Sequence, residues 1–321
     1  MKKKQFASAH DFLIWVVLLG LMLMFSLLSP AFFKVENLLN IGKQVAVYGI
    51  MAVGMTFVIL TGGIDISVGS LLGLVSVLAA NFIVKVGMPP LFAVLIAVLI
   101  GTISGVFAGI FVVKLQMPPM VGTLALMTID RGIAYIISNG LPIYGLPDSF
   151  RVWGQGYIGI VPVPLIIMSV IFVIGGFVLN KTRYGRYIYA AGGNEEATRL
   201  AGVNTDWIKM STYIVSGFLA SIAAVVMLSR MNSGQPTTGM QGEMDVITAV
   251  FLGGVSVTGG EGKLSGVLAG AFIMGVLSNG MIILGISEFY QMVIKGVVLV
   301  VAVAIDKLGK RRRTGVRAVK S

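Results

Sequence analysis

Ten apolar stretches, separated by short polar connections, have roughly the length a helix needs to cross a bilayer, and this constrains the chain more than any motif in it. They lie at 12–29, 44–61, 66–86, 90–114, 118–138, 162–180, 207–231, 243–254, 264–286 and 289–308. About 20 residues, each rising 1.5 Å, traverse the hydrocarbon, and a backbone in lipid must satisfy its own hydrogen bonds. The expectation is an all-α polytopic membrane protein with about ten transmembrane helices, forming a single transmembrane domain over 1–321. The run 243–254 is too short to span by itself and reads either as a half-helix or as a span that starts earlier than the pattern shows. Lys2, Lys3 and Lys4 ahead of Phe12–Ser29 imitate a signal peptide, but the apolar run is long and no small-x-small site follows it. An uncleaved first span is expected.

Only 12% of the residues are charged, against about 25% in soluble domains. The net charge of +11 is scattered between apolar runs or massed near the C-terminus, with no basic-aromatic module for nucleic acid. Positive-inside topology accounts for it. An even span count with both termini cytoplasmic puts seventeen Lys and Arg inside and five outside, a bias that sets orientation. Cysteine is absent and His10 is the only histidine. Disulfides, thiolate chemistry and cysteine-ligated metal are therefore excluded, and no nucleophile–base pair or metal cluster supports a membrane-embedded enzyme.

Tyr184–Asp206, YGRYIYAAGGNEEATRLAGVNTD, is a polar island between two apolar runs, on the cytoplasmic side by the charge count. Asn194 can cap a helix whose first turn carries Glu195 and Glu196, with Arg199 three and four residues on and Gly202 ending it. Ala197, Leu200 and Ala201 then share one face. Two turns do not recover their nucleation cost alone, so this helix must dock onto something. One reading is a partner protein. Another is anionic lipid headgroups, favoured by Arg183, Arg186 and Lys209.

Gly259–Lys263, GGEGK, invites a phosphate-loop reading and fails it. Val257 stands where a glycine is needed, and Leu264 stands where Ser or Thr should follow the lysine. Asp130, Arg131 and Lys295 fall inside spans, where ionisable groups are costly and usually functional. They read either as interhelical structural bonds or as elements of an ion-coupled carrier. Asp65, in the first GG turn beside Ser67 and Ser70, suits an Asx-type turn opening the next helix. Gly101, Gly105 and Gly109 form a tandem GxxxG, as Gly266 and Gly270 form another, which signals a tight bundle or dimer. Candidates to line a hydroxyl-accepting passage or its gate are Asp65, Ser67, Gln235, Thr237 and Asn279. GGIDIS at 62–67 and GGVSVT at 253–258, each followed by a Gly, a Leu and a Gly, hint at an internal repeat. The connection Asn139–Val161, rich in Pro and aromatics, reads as either a receiving loop or an interfacial aromatic belt.

Three long runs carry a resemblance. AVGMTFVILTGGIDISVGSLLGL at Ala52–Leu74, TRYGRYIYAAGGNEEATRLAGVN at Thr182–Asn204 and AVFLGGVSVTGGEGKLSGVLAGAF at Ala249–Phe272 resemble the membrane permease of ribose-type ABC sugar importers. LSPAFFKVENLLNI and FYQMVIKGVVLV extend the likeness to nearly the whole chain. The resemblance implies a bacterial inner-membrane permease with two related five-helix halves, of the vitamin B12 permease-like (type II) importer fold. It implies a second permease in a homodimer or heterodimer, a periplasmic sugar-binding protein and a cytoplasmic ATP-binding subunit. ATP and Mg would then sit on that partner, with no cofactor on this chain. The loop at about 181–209 is similar to the EAA coupling loop, so Gly193, Asn194, Glu195, Glu196, Ala197, Arg199 and Gly202 would seat in a groove of the ATPase. Thr198 departs from that pattern, at a position often occupied by alanine. The alternative of another class is an ion-coupled secondary sugar carrier using Asp65 or Asp130.

Overall fold

The computed structural model describes residues 2–318, with side chains over 13–304 and at Lys307. His10, Lys2–Lys4 and the basic C-terminal cluster thus lie outside the described side chains. The ten apolar runs are met by helices α1 (Lys2–Leu28), α2 (Val35–Leu60), α3 (Val68–Val84), α4 (Pro90–Gly109) and α5 (Pro119–Ser138), and, after the short α6 (Val152–Gln155), by α7 (Val163–Lys181). The last four follow a short insert of two helices, α8 (Arg183–Gly193) and α9 (Glu195–Leu200), and are α10 (Thr205–Met231), α11 (Gly242–Leu252), α12 (Leu264–Ile283) and α13 (Glu288–Ala318). Among the described residues, six helices are long and apolar enough to cross a membrane, α4 together with the π-turn 110–114 at its end counting as one. The segment Leu13–Leu28 and α3 are shorter apolar helices, and α11 has only 11 residues.

Burial sorts these helices into an interior and a shell. The apolar windows of α2, α10 and α12 are 83%, 67% and 72% buried, whereas those of α4, α5 and α7 are 33%, 28% and 28% buried. The shell helices α4 and α7 also have the highest mean hydropathy, 2.6 and 2.4, because their outward faces meet lipid rather than protein. α10 is the central post, packed on α4, α2 and α3. The Gly101–Gly105–Gly109 stripe is spent inside the chain. A Cβ on Gly105 would lie 2.7 Å from the Tyr213 carbonyl oxygen and 3.1 Å from Gly217 Cα, so α4 and α10 meet backbone to backbone. Gly266 and Gly270 similarly seat α12 against the end of α11.

The connection 139–161 carries more structure than its composition suggests. A 3₁₀ turn at Asp148–Arg151 leads into α6, and Tyr157–Ile158 (β1) pairs antiparallel with Val161–Pro162 (β2), a small departure from an all-α chain. Gly154 N donates to Ser229 Oγ at 2.8 Å and Ser229 Oγ to the Phe150 carbonyl at 2.7 Å, clamping this connection onto the end of α10.

The two GG segments recur as local turn chemistry. Asp65 Oδ1 accepts from Ser67 N at 3.1 Å, and Ser256 Oγ accepts from Thr258 N at 3.2 Å. Their glycines differ in role: Gly69 and Gly73 lie within α3, whereas Gly262 lies in the loop before α12. The left-handed residues, Gly62 (φ 83°) and Gly254 (φ 79°), are also offset by one position between the two motifs.

Candidate functional site

Residues 182–204 form a two-helix insert fastened to the end of the bundle. Thr182 Oγ1 caps α8 by accepting from Gly185 N at 3.1 Å, and Gly185, Ile188 and Ala191 supply its buried stripe. The Tyr184 hydroxyl shares a 2.6 Å hydrogen bond with Ser211 Oγ of α10, and the Tyr189 hydroxyl donates to the Gly262 carbonyl at 2.9 Å. Burial pushes both phenols above the usual tyrosine range, so they remain neutral hydrogen-bonding groups at physiological pH. Gly192 presses its Cα onto the Leu60 carbonyl region, and Gly260 N donates to that carbonyl at 2.9 Å. The GGEGK glycines therefore serve a close approach of three chain segments rather than cradling an anion.

The short helix α9 stands next to this platform. Asn194 Oδ1 accepts from Ala197 N at 2.9 Å, and Gly202 (φ 84°) ends the helix in the left-handed conformation that favours glycine. Glu195 and Arg199 point back at their own chain. Glu195 pairs with Arg199 at 3.3 Å and with Lys209, and Arg199 reaches Asp206 at 2.9 Å and Thr205 Oγ1 at 3.2 Å. Thr198 is buried, with its hydroxyl donating to the Asn194 carbonyl at 2.7 Å. The predicted apolar face thus points away from the bundle. Ala197, Leu200 and Ala201 are exposed, Leu200 at 84%, beside exposed Glu196 and Gly193. The Leu200 side chain therefore makes little contact with its own chain.

The five residues expected to line a passage are not brought to one place. Asp65 is 1% exposed and accepts from Ser67 Oγ (2.6 Å) and Ser216 Oγ (2.8 Å), as well as from Ser67 N (3.1 Å). It ties the α2–α3 turn to α10, and Ser67 belongs to the same knot. Alanine at Asp65 would strand three buried donors and should cost about 3 kcal/mol or more. Thermal unfolding of the purified chain reads this, with Asp65→Asn keeping part of the stability because an amide oxygen still accepts. Asn279 exchanges two hydrogen bonds with Asn37, at 3.0 and 2.9 Å, joining α12 to α2. Gln235 Nε2 donates to Ser233 Oγ at 2.9 Å in the loop after α10, where Thr237 is exposed.

The intramembrane charges separate in the same way. Asp130 accepts from Ser104 Oγ of α4 at 2.9 Å, while Arg131 Nη1 donates to the carbonyls of Pro236 (2.5 Å) and Thr238 (2.8 Å). Arg131 therefore holds the irregular segment 232–241 against α5 and α3. Gly73 leaves the space it needs, since a Cβ there would lie 2.8 Å from Arg131 Nη1. Lys295 of α13 pairs with Asp245 of α11 at 2.7 Å. Asp245 did not stand out in sequence because it sits near the start of the run 243–254 and reads as a boundary residue. The signal was there: it is an acid in the first turn of a helix too short to span.

Comparison with known proteins decides what kind of membrane protein this is. Residues 37–303 match the family model described as the permease component of the branched-chain amino acid transport system. The chain belongs to this permease family. The ribose import permease protein RbsC of Haemophilus influenzae is 44% identical to the permease over 303 residues, covering 93% of this chain and 94% of the relative. RbsC of Escherichia coli is 45% identical, covering 91% and 92%. The xylose transport system permease protein XylH of Escherichia coli is 30% identical, covering 94% and 92%. No solved structure matches the chain. The permease is thus a multi-pass membrane transport subunit of the ABC type, and the likeness expected from its three long runs holds along most of its length.

Proposed function

We propose that this chain is the membrane-spanning permease subunit of an ATP-driven importer that carries a small sugar, ribose or xylose or a close analogue, across the bacterial inner membrane. The observation that carries the reading is end-to-end similarity, at 44–45% identity, to permeases named for ribose import. The family model's description mentions branched-chain amino acids, but relatives 44–45% identical over most of the chain are named for ribose import. Passage would run by alternating access between two permeases, a second copy of this chain or a sister permease, each with about ten crossings in two related halves of the vitamin B12 permease-like type, and with both termini cytoplasmic. A periplasmic binding protein would deliver the sugar near 139–161. A cytoplasmic ATPase, holding ATP and Mg, would receive α9.

Two features of this chain support the ATPase role for the insert. The Glu195–Arg199–Asp206 clasp orders a helix too short to persist alone, and the apolar residues it orders are turned outward. α8 links that helix to the α2 terminus, to α10 and to the 253–263 loop, so a push on α9 reaches the interior helices directly. The ion-coupled carrier finds less support, since Asp65 and Asp130 are each engaged by serine hydroxyls that fix helix contacts. The substrate is tested by uptake of labelled ribose, xylose and leucine into cells expressing the complete transporter. Pentose uptake is expected, and leucine uptake without pentose uptake would overturn the assignment.

A further inference from the structure

Among the described residues, Asp245 and Lys295 form an intramembrane charge pair whose surroundings are not filled by protein. Its side chains are 15% and 24% exposed, and it borders a cavity of ≈ 220 Å³ between α11 and α13. Gln241, Met244, Asp245, Thr248, Met292 and Lys295 face that space. That is well above the roughly 10–15 Å³ needed for one water, so it has room for several waters or a small polyol in their place. On its other side Asp245 borders a cleft whose walls are mostly apolar, with Val45, Ala271 and Met274 beside the polar groups of Gln44, Tyr48 and Ser278, and whose free volume falls to ≈ 10 Å³, at the threshold for a single water. A roomy crevice, an ion pair and a narrow neck carrying a few polar groups therefore follow one another.

The backbone points to the same place. α11 is 11 residues long and is preceded by the irregular segment 232–241, in which Asn232 and Gln241 are left-handed. Irregular backbone at membrane depth is tolerated only where it is buried in protein or lines an aqueous cavity, and interrupted helices mark transport sites. A paired carboxylate and ammonium bordering lipid would be expensive, whereas bordering water they cost little. We infer that the crevice between α11 and α13 is a water-filled arm of a carbohydrate passage, and that the Asp245–Lys295 pair is its gate. A carboxylate accepts and an ammonium donates, so hydroxyl groups can replace each partner as the pair parts. Met244 and Met292 offer adaptable apolar contacts for the C–H faces of a sugar ring. The inference rests on the sugar-import reading.

The absence of cysteine makes the test direct, because one introduced thiol is the only thiol. Met244→Cys places it in the crevice, Gln241→Cys reports the same crevice from the loop side, and Val293→Cys places it two residues from Lys295 on the opposite, apolar face of α13. The full-length chain in proteoliposomes is exposed to a charged methanethiosulfonate. The crevice thiols are expected to react at least about tenfold faster than Val293→Cys, since a charged reagent enters hydrocarbon poorly. Modified Met244→Cys, assembled with its ATPase and binding protein, is expected to lose uptake of labelled ribose. Crevice thiols that react no faster than Val293→Cys overturn the inference, as does fast labelling that leaves uptake intact. Labelling reads water access whether or not wild type takes up ribose, so failure of the import reading is distinguishable from failure of this one.

Discussion

Replacing Leu200 by Asp should lower ATP-driven sugar uptake by about tenfold to a hundredfold while leaving the chain folded and sugar binding to the periplasmic protein unchanged. The side chain touches little of its own chain, so removing it costs no core packing. If it fills a pocket on the ATPase, its burial contributes about 1.5–3 kcal/mol, and every 1.4 kcal/mol lost is a factor of about ten in affinity. An unpaired carboxylate in that pocket adds to the loss. Glu195 and Arg199 should behave differently. Their exposed ion pairs, with side chains 37% and 61% exposed, stabilise by about 0.2–1 kcal/mol each, so Glu195→Gln or Arg199→Gln should reduce coupling only a few-fold. Uptake and substrate-stimulated ATP hydrolysis, measured together, check the order. Equal losses at all three positions would mean that the face contacting the ATPase is not the one turned outward.

Gly105→Leu should remove most of the folded protein from the membrane. The contacts a side chain would meet there, the Tyr213 carbonyl and Gly217 Cα, are backbone atoms of the central helix and cannot swing aside. Overpacking a core costs about 1–3 kcal/mol, and more where nothing yields. Separating α4 from α10 would also open the pocket that holds Ser104 against Asp130. Gly132→Leu on α5 is the matched control, because a Cβ there meets nothing within 4 Å. Thermal unfolding of the purified variants should show a large drop for Gly105→Leu and almost none for Gly132→Leu.

The helices were legible in the sequence because lipid forces each crossing segment to satisfy its own backbone and present apolar side chains. The interior polar contacts were not, because they join residues far apart in the chain. Asn37 meets Asn279, Asp65 meets Ser216, and Asp245 meets Lys295, and nothing local marks these pairs. The cap at Asn194 and the turn at Gly202 were readable since capping is local chemistry. The direction in which the helix they bound presents its apolar face was not, because it depends on Lys209, Thr205 and Asp206 at the start of the next helix. α8 is hard to read from sequence because its glycines and tyrosines are weak helix formers, although Thr182 and the buried spacing of Ile188 and Ala191 carry its signal. The GxxxG stripe was readable as a close contact, but its partner was not, since Gly217 lies more than a hundred residues on.

The most direct test of the account is the energy source of uptake in proteoliposomes containing two copies of the permease, the ATPase and the binding protein. Uptake of labelled ribose or xylose is predicted to require ATP inside the compartment that holds the ATPase and to persist when an uncoupler collapses the proton gradient. Uptake that proceeds without ATP and stops with the uncoupler would contradict the account and return Asp65 and Asp130 to the centre of the mechanism.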